Sequence, residues 1–249
     1  MEPTTLKTTN QRAFSSSSFK IAHEAGFSLL ELAIVLVILG IIGGMSLPLL
    51  TAQINRTAIV KTRSHQDYAL NAIAAYVEKN RKFPCPADPH LMDPEYGLAQ
   101  VQCRNQKAKG ILPFKTLGIS EAYARDGFKR LMTYVVEPEL AKKDTTLHQE
   151  AGGYITIKNE AEALVLAPPQ KNEKNPNYIA LVLISHGESG IGSYIGKGQA
   201  GKIVGESPSP HKRENYDENF IFIESSQTDD ILRWESRDQF LKHYVRLLP

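Results

Sequence analysis

The chain has 249 residues, 42% of them hydrophobic and 22% charged, with a formal net charge of +2 and two cysteines. So small a surplus argues against a nucleic-acid binder, which shows a clear basic excess, and against a strongly acidic partner. The balance fits one apolar anchor followed by one globular domain.

Residues 1–26 are polar, with a serine run from Ser15 to Ser18, and have no means of burying a core. Lys7, Arg12 and Lys20 face Glu2 and Glu24 there, so charge is spread evenly between this leader and the rest. From Phe27 to Leu50 the only charged residue is Glu31. As helix this run spans roughly 36 Å, enough for a hydrocarbon core of about 30 Å. A secretory signal peptide is the rival reading, but its apolar core is shorter and its small residue follows that core instead of preceding it. A buried core helix is the other rival, disfavoured by the length of the run.

An acid inside a spanning helix costs about 2.5–3.5 kcal/mol at the centre and calls for a cation. A cut between Gly26 and Phe27 would place a new α-amine four residues before Glu31, on the same helical face and mostly protonated at neutral pH. The same pair can form between neighbouring subunits, turning a buried charge into an assembly register.

Gly26, Phe27, Ser28, Leu29, Leu30, Glu31 and Leu32 resemble the cleavage and methylation motif of type IV prepilins and of the pseudopilins of type II secretion systems. The resemblance implies that prepilin peptidase cuts after Gly26 on the cytoplasmic side and N-methylates Phe27. It makes Glu31 the assembly acid. Gly40 and Pro48 resemble the helix-weakening pair of family helices, and proline's cost of about 3 kcal/mol inside a helix puts a bend between them. Arg56, Lys61 and Arg63 follow the apolar run, so loop charge alone does not orient it. The resemblance does, giving a single pass of the inner membrane with the C-terminal head in the periplasm. Implied partners are prepilin peptidase, other pilin or pseudopilin subunits, the inner-membrane assembly platform and the lipid bilayer, with no nucleic acid and no cofactor.

Past Pro48, Leu50, Ile54, Ala58, Tyr68, Ala72 and Tyr76 recur at mostly helical spacing, extending the anchor as an amphipathic helix over 51–80. Pro84, Pro86 and Pro89 end it. The head, 81–249, reads as α+β, a mainly antiparallel sheet packed on the long helix. Strands are expected at 131–136, 154–157, 163–166, 178–185 and 220–224. Ser236 is expected to cap a last helix carrying Phe240, Tyr244 and Leu247, and 187–218 to form a surface loop.

Cys85 and Cys103 enclose a proline-rich loop on the exported side, where an oxidising compartment favours a disulfide over two separate thiols. Gly110-Ile111-Leu112-Pro113-Phe114, Asp126-Gly127-Phe128 and Ser185-His186-Gly187 resemble features of prepilin-type proteins of Gram-negative bacteria. Asp126 and Glu188 have calcium-ligand chemistry, but Glu188-Ser189 depart from the aspartate pattern of the calcium loops of major pseudopilins, and no metal is expected. Gly196–Lys202 matches part of a phosphate-binding loop, with Ile203 where Ser or Thr belongs. Ser185-His186 are adjacent on a strand end and point to opposite sides, which disfavours a nucleophile and base pair. The expected protein is not an enzyme but a minor pilin or pseudopilin. The alternative is a membrane-tethered periplasmic binding protein or enzyme that uses a prepilin-like anchor.

Overall fold

The computed structural model describes residues 28–103, 108–142, 153–166, 177–196, 205 and 207–245, and at 44–49 the backbone only. It divides into two compact units, Met1–Leu49 and Leu50–Pro249.

The described part of the first unit is the start of helix α1, Leu29–Asn80. Ser28 caps it: its Oγ accepts the Glu31 N–H at 3.1 Å, and its carbonyl accepts the Leu32 N–H at 3.1 Å. Ser28 and Glu31 have the Ser-x-x-Glu spacing of a capping box, so the segment of the expected cut also starts the helix. Leu29 is 90% exposed, and the apolar side chains up to Ile42 are exposed along with it.

In the second unit the remainder of α1 buries one stripe, Ala58, Thr62, Gln66, Ala69, Leu70, Ile73 and Val77, at helical spacing. Strands β1 (Lys109–Ile111), β2 (Thr133–Val136), β4 (Ile179–Ser185) and β6 (Ile231–Ser236) form an antiparallel sheet in the order β1-β2-β4-β6. β4 is central and buried at every position, which explains its continuous Ile, Leu and Val run. Gln66 ties α1 to the sheet, its Nε2 donating to the Ile231 carbonyl at 2.9 Å. Short helix α2, Glu121–Ala124, precedes β2. β3 (Thr156–Asn159) pairs with β5 (Ile221–Glu224) in a second, two-stranded sheet. The fold is α+β, an N-terminal helix followed by a mainly antiparallel sheet, with Phe83, Phe222 and Phe240 among the large buried side chains.

Ser236 caps helix α4, Arg237–Tyr244, by accepting the Gln239 N–H at 3.3 Å, as its sequence predicts. The sheet is mainly antiparallel as expected, the two-stranded β3–β5 pairing being parallel. Other expectations need correction. Residues 163–166 form no strand, only a bridge from Leu164 to Lys158. β1 and β6 were not anticipated, β1 being three residues long and β6 carrying Arg233 and Glu235. The region 187–218 is not simply a surface loop: it contains helix α3, Pro210–Glu214, and Ser193, Ser207, Lys212 and Asn215 are buried.

Candidate functional site

The first candidate site is the start of α1. Glu31 lies in the first helical turn, exposed among Leu29, Leu30 and Leu32, and has no charged partner among the described residues. An acid beside exposed aliphatic surface is hydrated as it stands, and it needs a cationic partner once that surface is covered. Gly26 and Phe27, the expected cut and methylation positions, lie outside the described residues. Gly40 is within α1, and a Cβ built on it meets no atom within 4 Å. The helical backbone runs through Gly40 and Pro48, and the side chain of Pro48 lies outside the described residues. Among the described residues no helix is long and apolar enough to cross a membrane. Phe27 and the side chains of 44–49, which complete the apolar run, are not among them.

The second is the disulfide. Cys85 and Cys103 are bonded, with Cα atoms 5.5 Å apart and a sequence separation of 18, and both are buried. The paired reading of the two cysteines is therefore the observed one.

The third is a buried polar cluster at the end of β4. Ser185 Oγ donates to Asp126 Oδ2 at 2.6 Å, and Asp126 Oδ1 accepts the Arg130 N–H at 2.8 Å. His186 turns to the other side, its Nε2 3.0 Å from Thr133 Oγ1 and its Nδ1 3.6 Å from Asp230 Oδ1. Burial lowers the His186 pKa, which favours the neutral ring. Serine and histidine therefore serve different partners, as their adjacency on a strand predicts.

Lys212, from α3, inserts its ammonium into this cluster. It donates to Asp230 Oδ1 at 2.5 Å, to Asp229 Oδ1, and to the His186 carbonyl at 3.2 Å. Asn215 Nδ2 donates to Asp230 Oδ2 at 2.9 Å, completing the pairing of that buried carboxylate. Sequence reasoning missed Lys212, Asp229 and Asp230. The available signal was the Asp-Asp pair immediately before an apolar strand, where a buried acid requires a cation.

Gly187 sits at φ 62°, and a Cβ there would come within 2.0 Å of the Asp229 carbonyl oxygen. That explains the glycine of Ser185-His186-Gly187. Asp126 is occupied by Ser185 and Arg130, and Glu188 Oε2 accepts from Asn55 Nδ2 at 2.7 Å. Among the described residues no three His, Cys, Asp or Glu side chains are grouped to hold a metal ion. The phosphate-loop-like residues 197–203 lie outside the described residues.

The family model described as the prokaryotic N-terminal methylation motif matches residues 21–47. No curated protein and no solved structure matches the chain. The matched residues are the prepilin-type cleavage and methylation signal, and they include Gly26, Phe27 and Glu31. That signal supports a type IV pilin-like or pseudopilin-like substrate of prepilin peptidase and suggests membrane association.

Proposed function

We infer that the chain is a minor pilin or pseudopilin of a type II secretion or type IV pilus-like filament. Prepilin peptidase removes residues 1–26, and the new amine at Phe27 lies on the face of Glu31. The apolar run 27–50 holds the subunit in the inner membrane until it is drawn into the filament, and the head stands in the periplasm. The observation that carries this reading is Glu31 itself, unpartnered among the described residues within an exposed aliphatic surface inside the matched motif. Such a helix end is completed by a neighbour that brings aliphatic cover and a positive charge.

The head then acts by contact and not by turnover. Supporting this, Ser185 donates to Asp126 and His186 Nε2 is taken by Thr133, on different sides of the strand, and the Lys212 ammonium is held between two carboxylates. The competing reading, a tethered periplasmic binding protein or enzyme, needs a concave site with converging polar groups. The discriminating experiment is Glu31→Ala in cells with active prepilin peptidase. The reading expects normal processing with loss of incorporation into filaments. Unchanged incorporation would overturn it.

A further inference from the structure

The segment between the two cysteines is held at several points. The disulfide closes it, Ala87 bridges to Ala99 and to Ile111, and Lys115 Nζ reaches Asp93 Oδ1 at 2.7 Å. Tyr96 is buried edge-on against Phe114, with ring centroids 5.5 Å apart. On this fixed loop Leu91, Met92, Leu98 and Val101 remain exposed, Val101 by 95%. Leu91, Leu98 and Val101 line a groove of about 560 Å³, with Asp88 and Glu95 on its rim. Single exposed aliphatic residues are ordinary, but four on one pinned loop beside a groove form a patch that favours cover. The loop is already ordered, so docking there loses little conformational entropy.

The complementary chemistry is on the same chain. Between Leu50 and Arg63, α1 exposes Leu50, Ile54, Ile59 and Val60. Among them stand Arg56, Lys61 and Arg63, which have no ion-pair partner among the described residues; on the groove rim, Glu95 has none either. We propose that the groove at Leu91, Leu98 and Val101 receives the α1 segment 50–63 of a second copy of this chain. Leu50, Ile54 and Val60, which share one side of the helix with Lys61, enter the groove, and the cations face Glu95, Asp88 being already held by His90 Nδ1 at 2.8 Å. Groove and helix segment are different surfaces, so the contact is head-to-tail and repeats into an open array instead of closing as a two-fold dimer. The inference rests on the filament reading above and names the surface through which copies meet.

The test uses the full-length, processed protein in bacterial membranes, with a benzophenone amino acid replacing the exposed Val101 and two isotopically distinct populations of the chain. The expected result is an adduct from position 101 of one copy to a peptide within 50–63 of the other. Its yield should drop several-fold with Glu95→Lys, and recover when Arg56, Lys61 and Arg63 are changed together to Glu in the other copy. An adduct to any other segment, to the same copy, or to a different protein overturns the proposal, as does no adduct while copies co-assemble. Glu31→Ala is run in parallel. If association of copies survives it, the filament reading fails, and the location of the adduct still decides the contact.

Discussion

Gly127 donates its backbone N–H to Thr62 Oγ1 at 2.9 Å, and a Cβ at Gly127 would lie 1.9 Å from the carbonyl oxygen of Ala58. The Asp126-Gly127-Phe128 turn is thus pressed against the backbone of α1. Gly127→Ala forces the turn and the helix apart and should destabilise the head by about 1–3 kcal/mol. Denaturant unfolding of the purified protein in detergent, followed by Trp234 fluorescence, measures this. A change below about 0.5 kcal/mol would contradict the close packing.

The Cys85–Cys103 bond closes a loop with a sequence separation of 18. Removing it by Cys85→Ala with Cys103→Ala should cost about 3 kcal/mol in the chain-entropy model. The wild-type protein, unfolded with and without reductant, should show the same loss of midpoint, whereas the double variant should be indifferent to reductant.

Lys212 is the cation of a buried cluster containing Asp229 and Asp230. Lys212→Met leaves the Asp230 carboxylate buried without its charge partner, at a cost of about 3–5 kcal/mol. Adding Asp230→Asn to Lys212→Met should recover part of that loss. Additive damage in this double-mutant cycle would show that the two groups do not depend on each other.

Glu137 is fully buried, and its Oε2 accepts the Tyr154 N–H at 2.7 Å while Oε1 has no hydrogen-bond partner among the described residues. Burial pushes its pKa up from 4.5 to about 7. The folded state therefore binds a proton more tightly than the unfolded state, so this group's contribution falls as pH rises from about 4.5 to about 7 and is constant above. His186 acts in the opposite sense, since its lowered pKa costs stability as pH falls through 6.5. The difference between wild type and Glu137→Gln isolates the first effect. The variant should gain on the wild type by an amount on the order of 3 kcal/mol between those pH values. A pH-independent difference would contradict the raised pKa.

Legibility in sequence followed how local each determinant is. The helix after Pro48, strands β2, β4 and β5 and the Ser236 cap were readable because apolar spacing and a capping side chain act within a few residues. β6 was hidden because Ile231–Ser236 carries Arg233 and Glu235, acceptable at the edge of a sheet and untypical of its centre. The parallel register of Ile157 with Phe222 joins residues far apart in the chain, which no local pattern encodes. Lys212 looked like a solvated loop residue, because its neighbours in sequence are polar and its carboxylate partners lie 17 and 18 residues later. Of the candidate site, the isolation of Glu31 in an apolar run is plain in sequence, and the cysteine pairing follows from the oxidising setting that the resemblance implies.

The central claim is that the chain is cut and methylated before it is used. Intact-mass and amino-terminal analysis of the protein from membranes, with and without active prepilin peptidase, tests it most directly. The account predicts a chain beginning at N-methylated Phe27 only when the peptidase is active. A chain that keeps Gly26 and the residues before it under both conditions would contradict the account.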